Sequence, residues 1–123
     1  MEKVFVVKGN GTLSKLSAIL PLPGTTNLIS FETVEDAMTA IKELWIPATI
    51  DRMVKDSLGK MRYVDFLPVY GVNSDTAAIE YHPNLDLKTL DVKRITTDCV
   101  KYWFDIEEIY LPQAVANKLK VLG

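Results

Sequence analysis

Histidine and cysteine are nearly absent from this chain, which has one of each, His82 and Cys99. A single cysteine excludes an intramolecular disulfide and any cysteine-rich zinc site, and it suits a reducing compartment. A Cys–His nucleophile would have to be Cys99 with His82. A metal site would have to join His82 to carboxylates at no recognised spacing. No catalytic, metal or cofactor set is therefore assigned, and the balance is against an enzyme. Long apolar runs are missing too. None approaches the roughly 18 residues of a membrane-spanning helix, and Val4-Phe-Val-Val7 before Lys8 is too short for a signal-peptide core. Nor does one sign of charge dominate: the formal net charge is −2, which implies no bulk attraction to nucleic acid or anionic membrane. A cytoplasmic protein with no membrane role is expected.

What the chain does have is an ordinary globular composition, with 48% apolar and 24% charged residues over 123 positions. That suits one domain, 1–123, able to bury roughly two-thirds of its unfolded surface. The clearest element is a helix over 33–45. Thr33 followed by Asp36 fits a capping-box start. Val34, Ala37, Met38, Ile41, Leu44 and Trp45 then recur at helical spacing, leaving Glu35, Thr39, Lys42 and Glu43 on the other side. An apolar strand-like run, 27–31, precedes it. Pro47 breaks or kinks the pattern. Helical spacing resumes over 49–58 (Ile50, Met53, Val54, Leu58) and stops at Gly59 as the C′ residue.

On either side of this region the signals are mostly extended. A strand over 4–7 is closed by the turn residues Lys8-Gly-Asn-Gly11. A short helix over 14–20 ends at Pro21-Leu-Pro-Gly24. Segments 60–70 and 76–81 flank a turn rich in Gly, Asn, Ser and Asp, the pattern of a hairpin, with Pro68 pushing its strand toward a sheet edge. Residues 94–106 are dense in Thr, Val, Tyr, Trp and Phe and read as a strand. Pro112 opens a last helix through Leu122. Elements in this order predict an α+β fold: a single compact domain, a mixed sheet with helices packed mainly on one face.

Two local patterns resemble known families. Gly9-Asn10-Gly11 after a strand is similar to a degenerate dinucleotide-binding fingerprint, with Ser14 at the third glycine and Glu32 near the ribose-binding position. The resemblance implies a nucleotide-binding role for that turn. Val4-Phe-Val-Val-Lys-Gly9 and the segment 29–44 resemble the first strand, and the third strand with second helix, of the RNA-recognition motif. That implies base stacking on Phe5 and Phe31. The strand between the two matched segments is missing, as is the basic-plus-glycine start of the third-strand signature.

Three functional expectations follow. The leading one is a small non-enzymatic protein working through protein–protein contacts as a homo-oligomer in a structural, accessory or regulatory role. Its interface would draw on Tyr63, Phe66, Tyr70, Tyr102, Trp103 and Tyr110, aromatics in strands punctuated by proline. The alternative is a nucleic-acid-binding module using Lys55, Lys60, Arg62, Lys88, Lys93 and Arg94. The second alternative is a small enzyme or nucleotide-binding protein using the Gly9-Asn10-Gly11 turn.

Overall fold

A computed structural model of the protein describes residues 2–11, 18–82 and 100–111. Their dominant helix begins as the sequence implies. Thr33 is extended, and its hydroxyl accepts from the Asp36 backbone N–H at 3.1 Å. Helix α1 (Val34–Ala40) then runs through a π-helical turn, Ile41–Trp45, into α2 (Ile46–Asp56) without interruption. Pro47 is the second residue of α2, directly after the π turn and inside the continuous helix. Ahead of the proline, the Ile46 N–H donates to the Ile41 carbonyl five residues back, and this wider turn makes room for the ring. The break expected at Pro47 is therefore absorbed as a change of helical register.

Inserting a residue rotates everything downstream by about 100°. Trp45 and Ile46 consequently both turn inward and are each 4% exposed. At the far end Leu58 (φ 53°) and Gly59 (φ 87°) are both left-handed. The exit thus starts one residue before the expected Gly59, at a leucine whose side chain is exposed.

Five strands are described: β1 (Glu2–Gly11), β2 (Ala18–Ile19), β3 (Phe66–Tyr70), β4 (Thr76–Tyr81) and β5 (Val100–Leu111). They lie in the order β2-β1-β5-β4-β3. The fold is α+β, and every described pairing is antiparallel rather than mixed. The β3–β4 hairpin forms, but its first strand starts at Phe66 after a 3-10 turn at Tyr63–Asp65 rather than at residue 60, and Pro68 lies on the edge strand, where its missing N–H breaks no ladder on the outer side. Strand β5 is central in the sheet, and its side chains alternate cleanly. Tyr102, Phe104 and Ile106 face the helix, and Trp103, Asp105 and Glu107 face the other way.

At three places the backbone departs from the expected elements. Strand β1 continues through Gly9-Asn10-Gly11, which pair with Phe104, Trp103 and Tyr102, so no turn forms there. A Cβ on Gly9 would lie 2.8 Å from both Leu20 Cδ1 and Tyr102 Cε1, so this glycine marks close packing. Residues 18–19 of the expected short helix are strand, paired with Lys8 and Gly9. The run 27–31 forms only isolated bridges, Phe5 with Phe31 and Pro21 with Leu28. Residues 14–17, the 94–99 part of the late strand and the final helix lie outside the described residues.

The core forms where the helix meets the sheet. Val7, Ile41, Ile79 and Phe104 are at most 1% exposed, and Phe66, Trp45 and Ile46 join them. On the opposite face of β1, Val4 and Val6 are also fully buried.

Candidate functional site

Two concavities lie on opposite sides of the sheet. The first is on the face away from the helix, where cross-strand register places Asn10, Trp103, Ala78 and Val69 in one row over β1, β5, β4 and β3. Below it runs a second row, Lys8, Asp105 and Thr76. Trp103 is large and its neighbours Ala78, Thr76 and Gly71 are small, so a shallow hollow of about 240 Å³ opens beside the indole. Trp103 is 49% exposed there, although it sits on the central strand. Asp105 lines it, and charges of both signs follow along the same face of β1 and β5. Lys8 pairs with Glu107 at 2.5 Å across the β1–β5 ladder, and Asp105 stands directly opposite Lys8.

The second concavity is a cleft of about 300 Å³ between the 20–25 segment and the helix, with Tyr102 beneath. Its loop wall is stiff for local reasons. Leu22-Pro23-Gly24-Thr25 is a type II turn: Gly24 has φ 78° and the Thr25 N–H donates to the Leu22 carbonyl at 3.0 Å. The Thr25 hydroxyl donates to the Leu22 carbonyl and accepts from the Asn27 N–H, and the Leu22 N–H donates to the Asn27 carbonyl. The Trp45 indole N–H donates to the Pro21 carbonyl at 2.9 Å and ties this wall to the helix. Trp45, Ala48, Thr49 and Arg52 form the facing wall at i, i+3, i+4 and i+7.

The residues expected at an interface are dispersed. Phe66 is 6% exposed, with its ring 5.2 Å from that of Tyr81, and so belongs to the core. Tyr102 is partly buried against Phe104 and floors the cleft. Tyr70 rims the sheet-face hollow while its ring lies 4.8 Å beneath the Lys42 ammonium. Tyr110 is exposed on the helix-side face of β5, and its hydroxyl donates to Glu108, which holds the phenol above its usual pKa. Tyr63 is exposed beside α2, where its hydroxyl donates to Asp51. Tyr70 and Trp103 both line the hollow, but Tyr70 is in register with core-facing Ala77 and its ring turns to the helix side, away from Trp103. Phe5 and Phe31, the stacking platform of the RNA-binding resemblance, bond to each other's backbone, and Phe31 lies edge-on to Trp45 at 6.0 Å.

Of the basic set, Lys55 and Arg62 are answered from within, and Lys60 is exposed. Lys55 pairs with Asp51 at 2.8 Å, and Arg62 makes a two-pronged contact with the buried Asp65 at 3.0 and 2.8 Å. Lys88, Lys93 and Arg94 lie outside the described residues, as does Cys99. His82 Nε2 is 3.2 Å from Glu80 Oε2. Among the described residues no three His, Cys, Asp or Glu side chains gather as a metal site, and no helix is long and apolar enough to cross a membrane.

The Asp51 cluster supplies a direct titration test. The Lys55 ammonium, and after it the Tyr63 hydroxyl, hold the Asp51 carboxyl below its ordinary 3.8. In turn Asp51 raises the Lys55 ammonium and the Tyr63 phenol. A depressed carboxyl contributes stability above its unfolded pKa and loses it as pH falls through the folded value; the raised phenol loses its contribution as pH rises through its own. The Asp51 carboxyl carbon is expected to titrate below 3.8 by NMR, to move upward in Lys55→Met, and to move less in Tyr63→Phe.

Comparison with protein-family models, with curated proteins and with solved structures finds no match for this chain.

Proposed function

We propose that this protein is a non-enzymatic association module that works as a homo-oligomer, two copies meeting through the sheet face around Trp103. The observation that carries the reading is the half-exposed Trp103 next to a hollow floored by small residues. A two-fold interface uses one patch twice, so that patch must hold both the protrusion and the recess that receives it. Trp103 is the protrusion, and the space over Ala78, Thr76 and Gly71 is the recess. Lys8, Glu107 and Asp105 place both signs of charge at the rim, and a net charge of −2 gives little repulsion between copies. The neighbouring edge strand β3 lends further contact area, and Pro68 interrupts its N–H row so that the edge does not extend indefinitely.

Sedimentation velocity over a concentration series tests this. Wild-type protein is expected above its monomer mass of 13.8 kDa, and Trp103→Thr is expected to weaken association about thirtyfold. Threonine suits a strand, so the melting temperature of the variant should stay close to wild type. A wild-type chain that remains monomeric at about 1 mM removes the reading.

A further inference from the structure

The cleft on the helix side of the sheet has a different character from the hollow at Trp103, and Arg52 and Thr49 both line it. Arg52 is exposed at its mouth and, unlike Lys8, Lys55 and Arg62, has no carboxylate partner among the described residues. Thr49 is 8% exposed, and its hydroxyl makes no hydrogen bond among the described residues, whereas Thr39 on the same helix bonds back to the Glu35 carbonyl. Apart from Thr25, whose hydroxyl is engaged within the turn, the rest of the lining is mainly apolar or aromatic: Trp45, the prolines of the 21–25 turn, and Tyr102. The cleft is preformed, because the type II turn and the Trp45–Pro21 bond hold its walls before anything binds. The π turn ends at Trp45, the first residue of the helical wall. Such insertions persist at functional sites because they aim side chains that a regular helix would misplace.

We infer that this cleft binds a small carboxylate carried on an apolar, ring-sized body. An arginine fork with no internal acceptor matches a carboxylate through two parallel N–H donors. The Thr49 hydroxyl is a further donor on the helical wall one turn before Arg52, and Trp45, Tyr102 and the proline rings enclose the apolar part. A volume of about 300 Å³ stands at the lower end of ligand pockets and limits the occupant to one ring with a short chain. This inference does not depend on association through Trp103, which lies on the other face.

The chain carries its own reporters, since its two tryptophans are Trp45 in the cleft wall and Trp103 on the far face. In ¹H–¹⁵N spectra, titration with 3-phenylpropionate is expected to shift the Trp45 indole resonance with millimolar saturation and to leave that of Trp103 in place. Trp103→Phe assigns the two signals. The neutral 3-phenylpropanamide should bind about tenfold more weakly, and Arg52→Gln should weaken carboxylate binding by about the same factor, with an otherwise unchanged spectrum. Arg52→Lys should fall between, since it keeps the charge but not the fork. A Trp45 signal that does not move by about 10 mM probe overturns the inference. So does equal binding of acid and amide, or an Arg52→Gln variant that binds as well as wild type.

Discussion

Replacing Phe104 by alanine is expected to lower the unfolding free energy by about 3–5 kcal/mol, against a total of about 5–15 kcal/mol for a domain of this kind. Phe104 has no exposure and stands on the central strand, in register with Gly9 on β1 and Ala77 on β4. Its two lateral neighbours are thus among the smallest side chains available, and neither can swing into the vacated space. Tyr102, with its ring 5.0 Å away, is held along the same strand. A cavity that cannot collapse retains the full contact loss, which puts this site at the upper end of the range for such truncations. Urea unfolding followed by circular dichroism measures it. Phe104→Leu, which keeps much of the volume, should cost about 1–1.5 kcal/mol. A Phe104→Ala loss below about 1 kcal/mol would show that the ring does not fill the space between β1 and β4.

Phe104 also marks the boundary of what local pattern reveals. Alternating Tyr102, Phe104 and Ile106 announces a strand, and Thr33 with the spaced apolar residues after it announces a helix, because both signals lie within a few residues of chain. Gly9-Asn10-Gly11 misleads for the opposite reason. Its composition is that of a turn, yet Gly9 is glycine because Leu20 and Tyr102 close over it, and that contact spans most of the chain. Pro47 likewise signals a break, and only the preceding π turn shows how the helix carries it. The aromatics are chemically alike in sequence, so nothing local separates Phe66 in the core from Trp103 half in solvent. The cleft draws its walls from the 20–25 turn, the 45–52 helix and position 102, and only folding brings them together. Its visible traces were a Leu-Pro-Gly-Thr turn and the i, i+3, i+4, i+7 set ending in Arg52.

Trp45 ties these long-range features together, and Trp45→Ala is expected to cost about 3–5 kcal/mol. The side chain is 4% exposed, meets Phe31 edge to face, and donates to the Pro21 carbonyl. Trp45→Phe keeps most of the packing but leaves that part-buried carbonyl without its donor, so a smaller loss of about 1–2 kcal/mol is expected. The two variants should also part in hydrogen exchange. The Leu22 amide donates to Asn27 within the short 21–28 hairpin, which the indole bond ties to the helix alongside the packing of Leu22 on the core. Trp45→Phe should therefore speed exchange at Leu22 and Thr25 while leaving the β4 and β5 ladders protected; Trp45→Ala should speed both. If Trp45→Phe left the Leu22 amide as protected as in wild type, the turn would be shown to hold itself, and the cleft wall would owe its rigidity to the two prolines and the Thr25 hydroxyl alone.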